Sequence, residues 1–370
     1  DEMQPLSCAY HSIQLRLIPA LDEVVGPLGE RDRELVRAYE LTAPLLPKVL
    51  GPSDYCGLGR PQADRHKLFR AFIAKSVMGF ATTEMLIEQL KGNATLRFLC
   101  GWDSRGEVPS ASTFSRAFAA FSESGAAAQI HAMLIEATHQ DKIVGHCSKD
   151  STAIHARERH CRIHDKPLKQ KRKRGRRPRH TPVPPPPEPR RLQLQPTRSL
   201  QANICDLPKG CDWGIKKNSQ GKCEQWRGYK LHLDFSDAGV PLSAILSSAS
   251  VHDSQVAVPL MQMTTGRIRA GLYDLMDAAY DAREIHEFSR SLGHVPVIDP
   301  NTRGSAEPIP LDPAKTERYK ERSAAERGNS ELKDNFGLEN IRVKGHWKVS
   351  CHVMFCVLAL TSKTLFNMIC

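Results

Sequence analysis

The residues with the clearest potential for chemistry lie in one charged segment, residues 312–337, whose pattern predicts a single helix. Asp312 suits the N-cap, Pro313 suits the first helical position and Gly337 suits the end. At about 100° per residue, one narrow stripe of this helix carries an aromatic ring, two cations, a hydroxyl and one carboxylate: Tyr319, Arg322, Glu326, Ser330 and Lys333. The stripe would suit a metal-binding carboxylate flanked by groups that hold a phosphate backbone. The alternative is a solvated charged helix with i,i+4 ion pairs.

The same geometry selects one glutamate among four. Glu326 shares the stripe with the tyrosine and the cations, whereas the other three fall on the opposite side of the helix: Glu317, Glu321 and Glu331. We therefore expect Glu326 to be the carboxylate of this helix that takes part in chemistry.

The spacing Tyr-x2-Arg-x3-Glu-x6-Lys resembles the Y-R-E-K signature of insertion-sequence DDE transposases at every position. The resemblance implies a ribonuclease-H-like catalytic domain that cuts the 3′ strands at element ends and joins them to target DNA. It also implies that Arg322 and Lys333 bind phosphates of the transferred strand. Tyr319 would pack or hydrogen-bond near the scissile end, and anchoring in the core is the alternative for this residue.

Two further acids complete the set that the resemblance implies. Residues 143–150 can form a strand that ends in Asp150-Ser-Thr-Ala-Ile, which resembles the first-aspartate motif of the family, although an Asp at a strand end also commonly begins a turn. A short apolar strand, residues 272–276, delivers Asp277. Asp281 starts a capping box with Glu284, which leaves Asp277 for chemistry, and Asp274 is the backup candidate.

The chemistry of the family explains why three acids are needed. Phosphodiester cleavage requires a deprotonated water and a stabilised leaving oxygen, and two Mg²⁺ ions roughly 3.5–4 Å apart can provide both. Magnesium prefers hard oxygen ligands and keeps several waters. We therefore expect Asp150, Asp277 and Glu326 to be both the catalytic residues and the ligands of two Mg²⁺ or Mn²⁺ ions, and we expect metal to stabilise the apo-protein.

Residues 1–140 carry helical patterns and are expected to form an all-helical N-terminal domain that binds the terminal repeats. Short helices with tight turns suit a helix-turn-helix, but an ordinary bundle with a phenylalanine core is the simpler interpretation. The stretch 93–116 also resembles the helical N-terminal region of such transposases. That resemblance makes three arginines candidates for gripping element ends: Arg97, Arg105 and Arg116.

Residues 141–370 are expected to form the catalytic domain. Period-two alternation after Trp226, the turn 236–239 and the strand 240–246 predict a β-hairpin. Asp253 could touch the active site, but a helix cap is the expected role. The order of strands and helices predicts a mixed sheet with helices on its faces, so the fold class is α+β or mixed α/β with a ribonuclease-H-like sheet.

A basic, proline-rich insert, residues 160–200, interrupts the catalytic domain. Eleven Lys or Arg and one acid fall between residues 166 and 191, so this segment supplies most of the formal net charge of +11. Because neither the cationic run nor the six prolines of residues 181–189 can build a core, we expect disorder. The run would contact phosphates, or alternatively serve as a linker, through these arginines: Arg172, Arg174, Arg176 and Arg177.

Cysteine usage and hydropathy set the expected compartment. The eleven cysteines include no CxxC pair, which favours reduced thiols in the cytosol. The family resemblance implies a bacterial cytoplasmic protein associated with the nucleoid. A zinc site at Cys205, Cys211 and Cys223 is the less favoured alternative to free thiols. No signal peptide is recognised, no membrane partner is expected, and the apolar stretch 349–369 is expected to be a buried helix.

The expected partners are the element's terminal inverted repeats and target DNA, with a homodimer assembled on DNA. One feature departs from many Y-R-E-K enzymes, because the 49 residues from Asp277 to Glu326 leave no room for a large insertion there. Two alternatives stay open: a related two-metal nuclease without strand transfer, and a non-catalytic DNA-binding remnant of a transposase.

Overall fold

The computed structural model describes residues 28–51, 62–160, 188–217, 222–301 and 311–369. Within these ranges seven α-helices precede the first strand, and the Thr82 hydroxyl caps one of them by accepting from Met85 N–H. The helices are α1 (Glu30–Thr42), α2 (Leu46–Leu50), α3 (Arg65–Val77), α4 (Thr83–Gly92), α5 (Ala94–Cys100), α6 (Ala111–Ser124) and α7 (Ala126–His139).

Aromatic packing holds the helical region together. Phe114 and Phe121 of α6 are buried, and the ring of Phe72 on α3 lies between 5.1 and 6.2 Å from the rings of Phe114, Phe118 and Phe121. Centroid distances in this range suit favourable aromatic pairs. The phenylalanine stripe of α6 is therefore core, as the bundle interpretation expects.

Six strands form one mixed sheet in the described residues: β1 (Ile143–His155), β2 (Asp212–Lys217), β3 (Cys223–Phe235), β4 (Pro241–Ser248), β5 (Ala270–Met276) and β6 (Val295–Ile298). The central strand β1 pairs antiparallel with β3 and parallel with β5, and β6 continues the parallel side. On the other side β3 pairs antiparallel with β2 and with β4, which forms the expected hairpin. This arrangement confirms the α+β, ribonuclease-H-like fold class.

Helices cover both faces of the sheet. The remaining helices are α8 (Arg191–Leu194), α9 (Leu200–Asp206), α10 (Ser254–Thr265), α11 (Arg283–Ser291), α12 (Pro313–Tyr319), α13 (Ser323–Asp334) and α14 (His346–Ile369). Helix α10 packs on β3 and β4 from one side, and α13 packs on β1 and β3 from the other. Both faces of β3 are consequently buried, with Leu231 and Leu233 on one face and His232 and Asp234 on the other.

The C-terminal helix α14 connects the sheet to the helical region. It packs on α1, α3, α6 and α7 and also on β4. It is the one helix of the described chain that is long and apolar enough to span a membrane, but 78% of its most apolar window is buried inside the protein. This agrees with the expected buried helix, and the division at residue 140 into two domains stays a prediction.

The segment 312–337 is not one helix. Asp312 caps α12 as expected, its carboxylate accepting from Ala314 N–H and Lys315 N–H, but a 3₁₀ turn at Lys320–Arg322 separates α12 from α13. This tighter turn lies against β1 and β5, where Arg322 contacts the carboxylates of Asp150 and Asp277. Tertiary contacts at that point outweigh the continuous helical pattern.

The expected disorder over residues 160–200 is wrong at its C-terminal end. Helix α8 begins at Arg191, and Leu192 packs against a buried cluster that includes Met261 and Ile298. Gln195 and Asn203 are buried and donate hydrogen bonds to Gln255 O and Gln262 Oε1 of α10. The edge strand β2 was also not predicted. Residues 161–187, with Arg172, Arg174, Arg176 and Arg177, lie outside the described residues.

The capping box at Asp281 is wrong as well. Helix α11 begins at Arg283 with Ala282 as N-cap, so Asp281 lies one residue too early. Its carboxylate accepts instead from Asn301 N–H and contacts His286 Nε2, and these bonds tie α11 to the chain that follows β6. The role of Asp281 is still structural.

A glycine sets the depth at which α13 packs on the sheet. A Cβ at Gly328 would lie 2.3 Å from Phe235 Cε1 and 2.6 Å from its Cζ, so only glycine lets the helix contact the ring of β3 this closely. On the other side of α13, the Lys363 ammonium of α14 is 2.6 Å from Glu331 and 3.4 Å from Glu34 of α1. The helix is therefore held between the sheet and the helical region.

We expect Gly328→Ala to lower the free energy of unfolding by about 1–3 kcal/mol, the usual cost of overpacking, despite the better helix propensity of alanine. The matched control is Gly92→Ala at the end of α4, where a Cβ meets nothing within 4 Å. The control should be neutral or stabilising by up to about 1 kcal/mol. Urea denaturation measures both, and equal stability of Gly328→Ala and the wild type would contradict the proposed close approach.

Candidate active site

Asp150 lies on the central strand, on the face covered by α13. Its Oδ1 is 3.3 Å from the Arg322 guanidinium, and its Oδ2 accepts a hydrogen bond of 3.0 Å from the Asn329 amide. Asp150 does not begin a turn, because β1 continues to His155. The carboxylate is mostly buried, and its two oxygens have partners in the 3₁₀ turn and in α13 that follows it.

Asp277 follows the last residue of β5. Because Ser148 of β1 is paired with Leu275 of β5 in a parallel register, the residues two positions further on, Asp150 and Asp277, lie at the same level of adjacent strands. The Asp277 Oδ1 accepts from Ala279 N–H at 3.0 Å and caps a 3₁₀ turn, while Oδ2 is 3.9 Å from Arg322. Strand pairing therefore brings together two acids that are remote in sequence.

Glu326 reaches the same place from the first turn of α13. Its Oε1 is 2.5 Å from the guanidinium of Arg322, four residues earlier. The three acids thus contact one guanidinium, with 3.9 Å as the longest of the three distances. Their side chains are 13%, 34% and 60% exposed for Asp150, Asp277 and Glu326, so Glu326 has the most freedom to move.

The site carries more negative charge than its surroundings neutralise. Burial raises the pKa of Asp150, with Arg322, Lys216 and the Asn329 amide acting in the opposite direction. Burial also raises the pKa of Asp277, and repulsion from Asp150 and Asp253 raises it further. Both acids therefore bind a proton more readily in the folded chain than in the unfolded chain.

Asn329 is a site residue that the sequence reasoning missed. Its side chain is 7% exposed and donates to Asp150, while its own Oδ1 is buried without a hydrogen-bond partner. On the helical wheel Asn329 falls within about 20° of Arg322, and that position is the signal that could have identified it. An unsatisfied buried amide oxygen beside a carboxylate suits a site that takes a cation.

Tyr319 and Lys333 lie at the two ends of the stripe. The Arg322 Cζ is 5.9 Å from the centroid of the Tyr319 ring, and burial raises the pKa of the Tyr319 hydroxyl to about 12. The hydroxyl therefore stays protonated at neutral pH and can donate a hydrogen bond. Lys333 is half-buried and makes no ion pair with any other residue of the described ranges.

A fourth carboxylate stands close to the site. Asp253 is the N-cap residue of α10, but its side chain caps nothing, so the expected capping role is wrong. It accepts instead from the Lys230 ammonium at 2.8 Å and lies 3.9 Å from the ring of the buried His232. The ion pair with the Lys230 ammonium is stronger than a hydrogen bond to a backbone N–H of the helix would be. In this position the Asp253 carboxylate is close enough to raise the pKa of Asp277.

Asp274, the backup candidate, is buried among structural partners. Its carboxylate is 2.6 Å from the Lys149 ammonium and 2.6 Å from the Ser289 hydroxyl, and the ring of His294 is 3.0 Å away. It contacts none of the three acids that surround Arg322. The structure therefore separates Asp274 from the candidate site.

Two of the three N-terminal arginine candidates bind backbone. The guanidinium of Arg97 donates to the carbonyls of Leu90 and Lys91, and that of Arg105 donates to Lys91 O, so both satisfy the C-terminal end of α4. Arg116 is exposed on α6 and contacts Thr113 Oγ1 at 3.4 Å.

The donor set suits a hard divalent cation. Three carboxylates and the unsatisfied Asn329 oxygen supply oxygen ligands, the type that Mg²⁺ and Mn²⁺ prefer. The carboxylates converge on Arg322, and no three His, Cys, Asp or Glu side chains of the described chain are arranged around a single ion. Cys205 and Cys223 are exposed, whereas Cys211 is buried with its Sγ 3.8 Å from Glu158 O, and no disulfide joins these three cysteines.

We expect Asp277→Asn to raise the Tm of the metal-free protein at neutral pH. The folded-state pKa of Asp277 is raised, so the ionised carboxylate destabilises the fold as pH rises above the ordinary value of 3.8. The gain should therefore disappear below that pH. Thermal melting as a function of pH measures the effect.

The matched control for this substitution is Asp281→Asn. The Asn301 amide and His286 lower the pKa of Asp281 against a burial effect that raises it, so its stabilisation is present at neutral pH and is lost on acidification. Asp281→Asn should lower the Tm at neutral pH. A fall in Tm for both variants would contradict the unneutralised charge that we assign to Asp277.

Comparison with known families agrees with this geometry. A family model described as a transposase DDE domain matches residues 150–362, more than half of the chain, and one described as Transposase domain (DUF772) matches residues 35–120. No curated protein and no solved structure gives a significant match. The first match begins at Asp150 and includes the other two acids that contact Arg322. The chain belongs to the family of insertion-sequence DDE transposases.

Proposed function

We propose that this transposase cuts the 3′ strands at the ends of its element and joins the resulting 3′-hydroxyls to target DNA. The single observation that carries the proposal is the meeting of Asp150, Asp277 and Glu326 around one guanidinium. These acids come from a central strand, the end of the adjacent strand and a helix that covers them. The Tyr, Arg, Glu and Lys spacing supports membership of the Y-R-E-K group within the family.

Asp150, Asp277 and Glu326 would hold two Mg²⁺ or Mn²⁺ ions, and Asn329 Oδ1 is a further oxygen in reach of Asp150. Bound metal would supply an ionised water or hydroxyl and would stabilise the leaving oxygen of the phosphodiester. The raised pKa values of Asp150 and Asp277 support this assignment. Burial raises both, repulsion from Asp150 and Asp253 adds to the effect at Asp277, and a bound cation would favour the ionised form of each carboxyl group.

The other side chains of the site would bind and orient DNA. Arg322 is half-buried, and its guanidinium lies within reach of all three acids. When a metal neutralises these acids, the guanidinium would be able to bind a DNA phosphate as well. Tyr319 offers a protonated hydroxyl, and Lys333 offers an ammonium without a partner in the described chain. Arg172, Arg174, Arg176 and Arg177 would add salt-dependent contacts from the basic insert.

Two element ends must be cut and joined together, which favours a homodimer assembled on the terminal repeats and target DNA. The helical region would bind the repeats, and the catalytic region would act on the cut ends. Such work on DNA fits a cytoplasmic protein associated with the bacterial nucleoid.

The first test replaces one acid. Glu326→Gln should reduce Mg²⁺-dependent nicking and strand joining by about a hundredfold or more, as expected for loss of a charge-stabilising group. The matched control is Glu321→Gln, on the exposed opposite side of the same segment. An oligonucleotide carrying the element end, separated on a denaturing gel, reports both products.

The products also distinguish the alternatives. Nicking without joined products would point to a two-metal nuclease that lacks strand transfer. Binding without nicking would point to a non-catalytic remnant. Equal activity of Glu326→Gln and the wild type would contradict the assignment of Glu326.

The second test uses metal without DNA. Mg²⁺ should raise the Tm of the wild type, because it binds the folded site and relieves the repulsion between Asp150 and Asp277. The shift should be lost in Asp277→Asn and kept in Asp281→Asn, whose carboxylate bonds elsewhere. Thermal melting with and without Mg²⁺ measures both, and a wild type that shows no shift would contradict the proposed metal site.

A further inference from the structure

A second cationic site lies away from the three acids, between the helical region and the catalytic region. It is a cleft of about 380 Å³, a volume in the range of ordinary ligand sites. Its walls come from α3, the start of α4, α6, the chain after β1 and α14 with the loop before it. We name it the Lys75 cleft after the buried cation that lines it.

Lys75 is the unusual residue of the cleft. The residue is 9% exposed, yet its ammonium forms no hydrogen bond or ion pair with any residue of the described chain. Burial lowers the pKa of its ammonium, and Arg342 acts in the same direction against Cys356 and Glu84. The side chain is largely buried, and its ammonium opens into the cleft without a counterion, an arrangement that suits an anion bound there.

The rim of the Lys75 cleft adds further positive charge. Arg157, Arg342 and Lys348 are exposed and lack ion pairs within the described ranges, and Glu84 is the single acid among the described lining residues. His352 adds no charge, because burial and the nearby Lys75 lower its pKa to about 3. Four cations therefore face one carboxylate.

Two features of the cleft suit a phosphate in particular. The first turn of α4 lines it through Thr82 and Thr83, and the amide groups of a helix N-terminus favour an anion beside the buried ammonium. The guanidiniums of Arg157 and Arg342 have the geometry that binds phosphate oxygens in pairs. A carboxylate ligand would make less use of four cations.

The position of the cleft separates it from the catalytic acids. Arg157 is seven residues beyond Asp150 along the same strand and its continuation, which at about 3.3 Å per residue places it roughly 20 Å away. A phosphate held there would belong to DNA that flanks the reacting bond.

We propose that the Lys75 cleft binds a backbone phosphate of the DNA outside the active site, through Lys75, Arg157, Arg342 and Lys348. The inference rests on the proposed function, because it takes DNA as the substrate. It adds a contact that holds the helical and catalytic regions on the same DNA molecule.

The test measures DNA binding without divalent metal, so that catalysis does not enter. Arg342→Gln and Lys348→Gln should each weaken binding of a labelled duplex carrying the element end by about fivefold at 0.15 M salt, and lower the slope of log K against log salt by about one, as for loss of one phosphate contact. Arg290→Gln on α11, exposed and outside the cleft, is the matched control and should change neither quantity. Fluorescence anisotropy over a range of salt concentrations gives both values.

The substitution Lys75→Met distinguishes a lysine that binds phosphate from one that serves only the fold. Removing a buried, unpaired charge while keeping the side-chain volume should raise the Tm, and it should weaken DNA binding at the same time. A lower Tm together with unchanged binding would assign Lys75 to the fold alone and would overturn the proposal.

The remaining outcomes separate the sources of phosphate and the two proposals. If inorganic phosphate raises the Tm of the wild type but not of Lys75→Met, while all cleft variants bind DNA normally, the ligand is a free phosphate and the DNA contact is refuted. If the wild type binds DNA and every cleft variant binds it equally well, the cleft proposal fails while the proposed function stands. If the wild type binds DNA through the cleft but does not nick it, the chemistry fails and the cleft proposal stands.

Discussion

A buried ammonium ion fixes the three strands that the active site depends on. Lys149 of β1 is 1% exposed, and its Nζ lies 3.1 Å from Asp234 of β3 and 2.6 Å from Asp274 of β5. The Thr264 hydroxyl donates to Asp234, and the Ser289 hydroxyl donates to Asp274. Removing one partner from a buried pair of this kind typically costs about 3–5 kcal/mol, so alternative registers of these strands are strongly disfavoured.

The register matters because the catalytic acids are its direct neighbours. Asp150 follows Lys149 on β1, and Asp277 lies three residues after Asp274 on the chain that leaves β5. A slip of one residue would turn each side chain to the other face of the sheet. The bond from Lys149 to Asp274 therefore sets the relative positions of two acids that it never contacts. On its face of the sheet Lys149 pairs with two carboxylates, and on the opposite face, at Asp150 and Asp277, part of the negative charge is left for a cation.

The sequence was informative where the pattern is local. The i,i+4 relation of Arg322 and Glu326 and the delivery of Asp277 by an apolar strand both depend on spacing along one element, and the structure has them as expected. The break at Lys320–Arg322 and the bonds of Asp253 and Asp281 were missed because each depends on a partner from another part of the chain. Lys149 shows the limit most clearly, since nothing in a single strand reveals that its ammonium is enclosed by acids 85 and 125 positions away.

The helix that carries Glu326 is positioned from both sides, and this explains how the helical region can affect chemistry that it does not perform. Gly328 lets α13 approach Phe235, which brings Arg322 and Asn329 within reach of Asp150. On its outer side, Lys363 of α14 joins Glu331 to Glu34 of α1. A force that moves the helical region, such as its attachment to DNA, would therefore be transmitted to the helix that carries Glu326 and Asn329 and directly follows Arg322. Physical coupling of this kind needs no change in the sheet, because Lys149 holds the strands while α13 adjusts against them.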